Sequence, residues 1–364
     1  MRIALLNSGG DCPGLNAVIH GVVGAANKLG WEVVGFRDGF EGLLPPGDYT
    51  ILDSDRTIGI LKMGGTILGT TNKGHFAAKV GEGEVARISE DIIEKARRTM
   101  DILEIRALIV VGGDGSLTTA LQLFELGFPV IGVPKTIDND LEATAMTFGF
   151  DSAVSCVVDA LDRLHTTAAS HKRVMVLEVM GRNAGWIALY GGIGGGADII
   201  LLPEIAFTFE AIAGVVHRRE AQGKHSTLIV AAEGARLPDG LTVNIEQCDS
   251  MENRLGGIGE VVRQEVERRT QKESRVCILG HLQRGGEPTA LDRILGTRFG
   301  VHAVSLIQEG GFGRMVSYQS YSVGSVAIQE AVHQLRLVDP RGEVVNAARS
   351  VGISMGDERP DEFD

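Results

Sequence analysis

Phe128-Pro129-Val130-Ile131-Gly132-Val133-Pro134-Lys135-Thr136-Ile137-Asp138-Asn139-Asp140 is the stretch from which the fold of this chain can be read. Phe128 to Val133 is an apolar run that reads as a buried parallel strand. Two acids just past a strand end cannot both point into a core. Extended-chain alternation predicts Asp138 and Asp140 on one side, about 7 Å apart at Cα. There they either share a cation or divide into a base and a metal ligand. Lys135 and Thr136 add a positive charge and a hydroxyl.

A second acidic loop, Gly112-Gly113-Asp114-Gly115-Ser116, follows the apolar run Ala107 to Val111 and precedes a helical pattern. Both loops leave the carboxyl ends of strands, where open α/β sheets bind ligands. Upstream, Ile3 to Leu6 reads as a first strand, and Leu15, Val18, Ile19, Val22, Val23, Ala26 and Leu29 recur at helical spacing before Gly30. The glycine turn between them, Ser8 to Gly14, suits phosphate because free N–H groups converge at a helix N-terminus. A plain tight turn explains it equally well. Gly64 to Gly74 is a further glycine and hydroxyl cluster that reads as a loop.

Strand and helix patterns then alternate. Trp31 to Phe36 is a strand, Ser89 to Leu103 a helix, and Phe150 to Ser170 a long helix opening a second series. Val174 to Val179, Ile199 to Leu202, Leu228 to Ala232 and Val276 to Leu279 are its strands, with helices at Glu210 to Gln222 and Ile258 to Thr270. Pro288 to Gly311 reads as another long helix with its preceding turn, followed by a mixed segment ending near Leu337.

A chain of 364 residues with 44% hydrophobic content makes two domains the sensible expectation. Its 49 glycines suit many tight strand-to-helix turns. The formal charge of -12 argues against a nucleic-acid or membrane partner, either of which needs a broad basic surface. An anionic small molecule needs only a local gathering of cations, and Arg173, Arg182, Arg275 and Arg284 are candidates. Cys12, Cys156, Cys248 and Cys277 are scattered without zinc-site or disulfide-framework spacing. A cytoplasmic location is the simplest expectation.

Two glycine signals lead nowhere. No G-x-x-x-x-G-K-[ST] sequence is present, which argues against an ordinary P-loop. Gly192 to Ala197 superficially matches a dinucleotide fingerprint but follows the helical pattern Ala184 to Tyr190, whereas such a loop should follow a strand.

Taken together, GGDCPGLN (from Gly9), GGTILGT, GGDGS, PKTIDND, EVMGR and GHLQRGG resemble the 6-phosphofructokinase family, in the same order and over most of the chain. The resemblance implies transfer of a terminal phosphoryl group to O1 of fructose 6-phosphate. It implies Asp138 as the base that takes the hydroxyl proton, Asp114 as a magnesium-site residue and Asp140 as an organiser of the metal and its waters. Lys135 and Thr136 are implied to serve the transferring phosphate and the acceptor. Gly10, Gly115 and Ser116 resemble the donor-phosphate cradle, with Gly113 shaping its turn. Lys73 stands beside Asn72, where many bacterial members carry a phosphate-bridging arginine.

On the sugar side, Arg284 and His281 resemble 6-phosphate contacts, Met180, Gly181 and Arg182 an acceptor pocket, and Glu233 a sugar-hydroxyl contact. Arg173 and Arg275 resemble arginines that reach the substrate across a subunit boundary, which implies a homo-oligomer, dimer or tetramer, with shared active sites. Glycine at 115 resembles ATP users, whereas lysine at 135 resembles pyrophosphate users. ATP is the first reading and pyrophosphate the alternative. A catalytically silent regulatory homologue is a further alternative, against which the intact Asp114, Asp138 and Asp140 argue. The family's basic effector positions match His20, Gly24 and His165 here, implying altered or absent control by ADP and phosphoenolpyruvate.

The expected architecture is α/β, with two parallel-sheet three-layer domains and the active site in the cleft between them. Residues 1–149 and 283–333 would bind ATP and magnesium, residues 150–282 and 334–350 the sugar phosphate, and 351–364 would be an acidic tail whose end, Asp357 to Asp364, frays in solvent.

Overall fold

A computed structural model describes residues 1–71, 73–76, 79–80, 84–246 and 254–358. The chain opens with β1 (Arg2–Ser8), α1 (Leu15–Lys28), β2 (Glu32–Phe36) and β3 (Tyr49–Leu52). The short strands β4 (Lys79–Val80) and β5 (Glu84–Val85) pair with each other before α2 (Glu90–Ile102), β6 (Ile105–Gly112), α3 (Asp114–Glu125) and β7 (Val130–Pro134). Next come α4 (Phe150–His171), β8 (Val174–Val179), α5 (Trp186–Gly194), β9 (Ile199–Leu201), α6 (Phe209–Ala221) and β10 (Thr227–Ala232). A second small pair, β11 (Asn244–Glu246) and β12 (Arg254–Leu255), precedes α7 (Ile258–Thr270) and β13 (Ser274–Ile278). The chain continues through α8 (Ala290–Gln308), β14 (Arg314–Gln319), β15 (Ser322–Ala327), α9 (Ile328–Val332) and α10 (Glu343–Ser350).

The chain divides into two compact units. Unit 1 comprises Met1–Ile137, Leu141–Ser152 and Arg284–Leu335, and unit 2 comprises Asp138–Asp140, Ala153–Gln283 and Arg336–Asp364.

Unit 1 is built on a seven-stranded sheet in the order β15-β14-β7-β6-β1-β2-β3. The five inner strands are parallel, and β3 and β15 run antiparallel at the two edges. Parallel strands covered on both faces have no water-facing side, so their sequences are apolar throughout. Accordingly, Leu108, Ile109, Val110 and Val111 of β6 are all fully buried. Leu6, Val34, Phe36, Leu117, Phe128 and Met315 share one core with Leu108 and Val110. Unit 2 carries a four-stranded, wholly parallel sheet in the order β13-β8-β10-β9, over a core that includes Val176, Ile229, Ile258 and Val262. The fold is therefore α/β in both units. Caps set helix starts where side chains allow: the Thr208 hydroxyl accepts the Ala211 N–H at 3.1 Å at the head of α6, and Thr289 serves α8 in the same way.

Three expectations need correction. The segment after β7 is not extended, because Asn139 is left-handed with φ of 52° and is buried. Asn tolerates that conformation better than most residues, and it breaks the alternation that would have set Asp138 and Asp140 on one side. These three residues group with unit 2, where the Arg336 N–H donates to the Asp140 carbonyl at 2.9 Å. Nor are residues 351–358 a loose tail, while the expected fraying of residues 359–364 falls outside the described residues. Ser354 bridges to Ile199 at the β9 edge, Ile353 and Met355 are buried, and Arg349 grips Asp357 at 2.7 and 2.8 Å. An exposed edge strand flanked by apolar residues gains both hydrogen bonds and burial from that addition. Finally, α5 continues through Gly194, so the glycine run starting at Gly192 begins inside the helix.

No helix among the described residues is long and apolar enough to cross a membrane. Cys12, Cys156 and Cys277 are free thiols, while Cys248 and Asn72 lie outside the described residues. Burial pushes the Cys12 thiol up to about 12, which keeps it protonated and unreactive.

Candidate active site

In unit 1, the adjacent parallel strands β1, β6 and β7 end on the same edge, so the turns that follow them meet. Lys135 knits them together. Its N–H donates to the Gly112 carbonyl at 2.9 Å, and its ammonium donates to the Gly10 carbonyl. The residue is only 4% exposed. A lysine this buried costs desolvation unless its charge is used, so a loosely solvated loop lysine is excluded. Gly9, at φ of 86°, comes so near that a Cβ there would stand 3.3 Å from Ser116 Oγ and 3.4 Å from Lys135 Nζ. Its neighbours Thr70 and Thr71 pin it from the Gly64–Gly74 loop: the Thr70 hydroxyl donates to the Gly9 carbonyl at 2.6 Å, and Gly9 N–H donates to Thr71 O at 3.0 Å.

Asp114, Gly115 and Ser116 form the first turn of α3, and Gly113 precedes them with no side chain to cap it. The N–H groups of that turn are the kind that receive phosphate oxygens. Gly115 is open: a Cβ built there meets nothing within 4 Å. Thr136 is fixed by its carbonyl, which accepts the Thr147 hydroxyl at 2.7 Å. Arg284 lies along the same turns, with Nη1 donating to the Asp11 carbonyl at 3.0 Å. Lys73 is exposed, and its N–H is held in a local turn by the Thr71 hydroxyl at 3.1 Å.

Unit 2 gathers the predicted acceptor residues in the same manner. Its neighbouring strands β13, β8 and β10 end together. Met180 N–H donates to Gln283 Oε1 at 3.3 Å, Glu233 N–H to the Val179 carbonyl at 2.8 Å, and Gly234 N–H to the Gly181 carbonyl at 3.1 Å. Met180, Gly181 and Glu233 are thereby tied to the turn that carries His281. Arg182 is half-buried and His281 exposed, so His281 is not a core histidine. Asp138 and Asp140 are half-buried in the same unit.

Arg173 and Arg275 are not with them. Arg173 precedes β8 and Arg275 is the second residue of β13, which puts both at the amino edge of the sheet. There they share one acid, Glu273: Arg173 Nε lies 2.7 Å from it, and Arg275 bonds its other oxygen. The hydrogen bond from Arg173 holds the Glu273 carboxyl below its usual range. Glu273 and Arg275 are two apart where β13 begins, a period-2 placement that puts both side chains on one face, so this partner was open to a reading of the sequence.

Among the described residues, no group of three or more His, Cys, Asp or Glu side chains is placed to hold a metal ion. The effector positions look different again. His20 and Gly24 line a cavity of about 610 Å³ with Ser54, Thr57, Lys62 and Arg293, whereas His165 Nε2 is engaged with the Gly195 carbonyl at 2.9 Å.

Comparison with known proteins places the chain among relatives of one family. The phosphofructokinase family model matches residues 2–307. An ATP-dependent 6-phosphofructokinase of Chloroflexus aggregans is 52% identical over 98% of this chain and 98% of its own length. A pyrophosphate–fructose 6-phosphate 1-phosphotransferase of Streptomyces coelicolor is 45% identical over 93% of this chain and 97% of its own. Among solved structures, phosphofructokinase from Saccharomyces cerevisiae superposes with a TM-score of 0.78 at 31% identity, covering 91% of this chain and 45% of that one. The chain spans under half the length of that yeast protein.

Proposed function

The chain belongs to the phosphofructokinase family, and from that premise we propose that it is an ATP-dependent 6-phosphofructokinase of glycolysis. It transfers the γ-phosphoryl group of ATP to O1 of fructose 6-phosphate, giving fructose 1,6-bisphosphate and ADP. The observation that carries the phosphoryl-transfer reading is the buried Lys135 ammonium on the Gly10 carbonyl, at the meeting point of the turns after β1, β6 and β7, and the open space at Gly115 supports ATP as the donor.

Phosphoryl transfer asks little covalent chemistry of the protein, so positioning and charge stabilisation dominate. Asp138 takes the proton of the sugar hydroxyl as the O1–phosphorus bond forms and the bond to ADP breaks. Lys135 offsets charge on the moving phosphoryl group, and the first turn of α3 with Gly10, Gly113, Gly115 and Ser116 cradles the donor phosphates. Asp114 and Asp140 would hold magnesium, which when bound neutralises the phosphate oxygens. Met180, Gly181, Arg182 and Glu233 receive the sugar. His281 and Arg284 receive its 6-phosphate, joined by Arg173 and Arg275 of a neighbouring copy in a homo-oligomer. Lys73 contributes a further positive charge to the donor side. The enzyme works in the cytoplasm, and ADP or phosphoenolpyruvate added at subsaturating fructose 6-phosphate leaves its rate curve largely unshifted.

A second donor is kept in view because lysine stands at 135 and because of the Streptomyces relative. Magnesium-dependent turnover of fructose 6-phosphate, with ATP and pyrophosphate at matched concentrations, tests both. Faster turnover with ATP supports the main reading, faster turnover with pyrophosphate reverses the donor, and none with either leaves only the silent homologue.

A further inference from the structure

Unit 2 contains a chain of hydrogen bonds that begins at the acidic loop and touches no residue assigned to substrate. The Asp140 carbonyl accepts the Arg336 N–H at 2.9 Å. The Arg336 carbonyl accepts the Trp186 indole N–H at 2.9 Å, and the Arg336 guanidinium centre stands 4.6 Å from the centroid of the Trp186 ring. Two residues on, Val338 N–H donates to Glu204 Oε1 at 2.9 Å. The same oxygen accepts Gly185 N–H at 3.0 Å, at the head of α5. Trp186 is 8% exposed and Val338 3% exposed, so these bonds are shielded from water.

The segment that follows β7 is pinned by single bridges, Lys135 to Phe148 and Leu141 to Leu335, where a strand would have a continuous ladder. It bends, and Asn139 is left-handed. Something outside it must set where its two carboxylates stand. A side chain that hops between rotamers cannot do this, but a neighbouring backbone bonded on both sides can. We propose that Arg336–Val338 is a backbone splint for Asp138–Asp140, and that Trp186 and Glu204 are the positioning residues that hold the splint in register. The proposal rests on the reading of Asp138 as the base and extends it to residues that never meet the sugar. Burial pushes the Glu204 carboxyl above its ordinary range, and what the splint takes from it is the one oxygen that accepts both N–H groups.

The indole donor and the shared acceptor oxygen set the test. Trp186→Phe removes the indole donor but keeps a ring under the Arg336 guanidinium. Glu204→Ala removes the acceptor of both N–H groups, whereas Glu204→Gln retains an oxygen able to accept both. Initial rates with ATP and fructose 6-phosphate on the full chain, well below each variant's melting temperature, should show kcat down about tenfold or more in Trp186→Phe and Glu204→Ala. KM for fructose 6-phosphate should stay within about twofold, and Glu204→Gln should recover the parental kcat. A lowered melting temperature with parental kcat would reduce the splint to a stability element and overturn the proposal. So would a raised KM with kcat intact, which would put the effect on the sugar side. Asp138→Asn run in parallel separates the two claims. Parental turnover there removes the base and the splint's purpose with it, whereas collapse there beside parental Trp186→Phe and Glu204→Ala removes the splint alone.

Discussion

Arg173 and Met180 flank the same strand, one before its first residue and the other after its last, and so stand at opposite edges of the unit 2 sheet. With β8 6 residues long, the two lie one residue beyond either end of it, and a rise of about 3.3 Å per residue separates them by about 23 Å. That is more than a hexose monophosphate spans. If both serve one sugar phosphate, they come from two copies of the chain.

Mixing two damaged chains tests this arrangement. Arg173→Ala and Asp138→Asn homo-oligomers, each alone, should turn over poorly near the parental KM for fructose 6-phosphate. Dissociated and reassociated together, they should form sites with Asp138 from one copy and Arg173 from the other. A statistical mixture of two-fold dimers would regain about a quarter of the parental rate. No recovery in chains shown to exchange would mean that Arg173 serves its own copy or no substrate at all.

Asp138→Asn isolates the proton transfer. The amide keeps the size of the carboxyl and loses its basicity, so kcat should fall by about 10² to 10⁴. Binding of fructose 6-phosphate, measured by equilibrium titration, should change only a few-fold. Near-parental kcat would remove Asp138 as base.

The strand–turn–helix units of both sheets were legible because continuous apolar runs and 3.6-residue periodicity carry over directly into β6, β8, α4 and α7. What escaped was set by tertiary partners. The β14–β15 hairpin turns on Ser320 and Tyr321, with φ of 48° and 65°, where a sequence reader looks for Asn-Gly. The buried tail residues Ile353 and Met355 looked like part of an acidic end because only the β9 edge gives them somewhere to go. In the site, the residue types and loops were readable. The left-handed Asn139 and the Arg336 partner of Asp140 were not, since neither leaves a periodic signal.

Gly115 offers a test of donor choice uncomplicated by folding. A Cβ there meets nothing within 4 Å, and an acid in the first turn of a helix is electrostatically welcome. Gly115→Asp should therefore melt within a few degrees of the parent. Its carboxylate would meet the phosphates of ATP, and kcat/KM for ATP should drop about tenfold or more while that for pyrophosphate changes less. Equal losses with both donors would defeat the steric account.

Asp292 should give the protein a specific pH dependence of stability. It is fully buried in α8, where one of its oxygens accepts both the N–H and the hydroxyl of Ser152, at 2.8 and 2.6 Å. Burial raises its carboxyl from 3.8 to about 6, outweighing those hydrogen bonds. A carboxyl raised above its unfolded value contributes stability that is present in full below about pH 4 and lost as pH rises through about 6. The loss from this group is on the order of 2–3 kcal/mol. Asparagine keeps an oxygen that can accept both Ser152 bonds and never ionises. Denaturant unfolding at pH 4.5, 6 and 7.5 should therefore show Asp292→Asn close to the parent at the lowest pH and more stable at the highest. A variant that is instead weakest at pH 7.5 would mean that the ionised carboxylate's bonds to Ser152 exceed its burial cost, and the sign would be reversed.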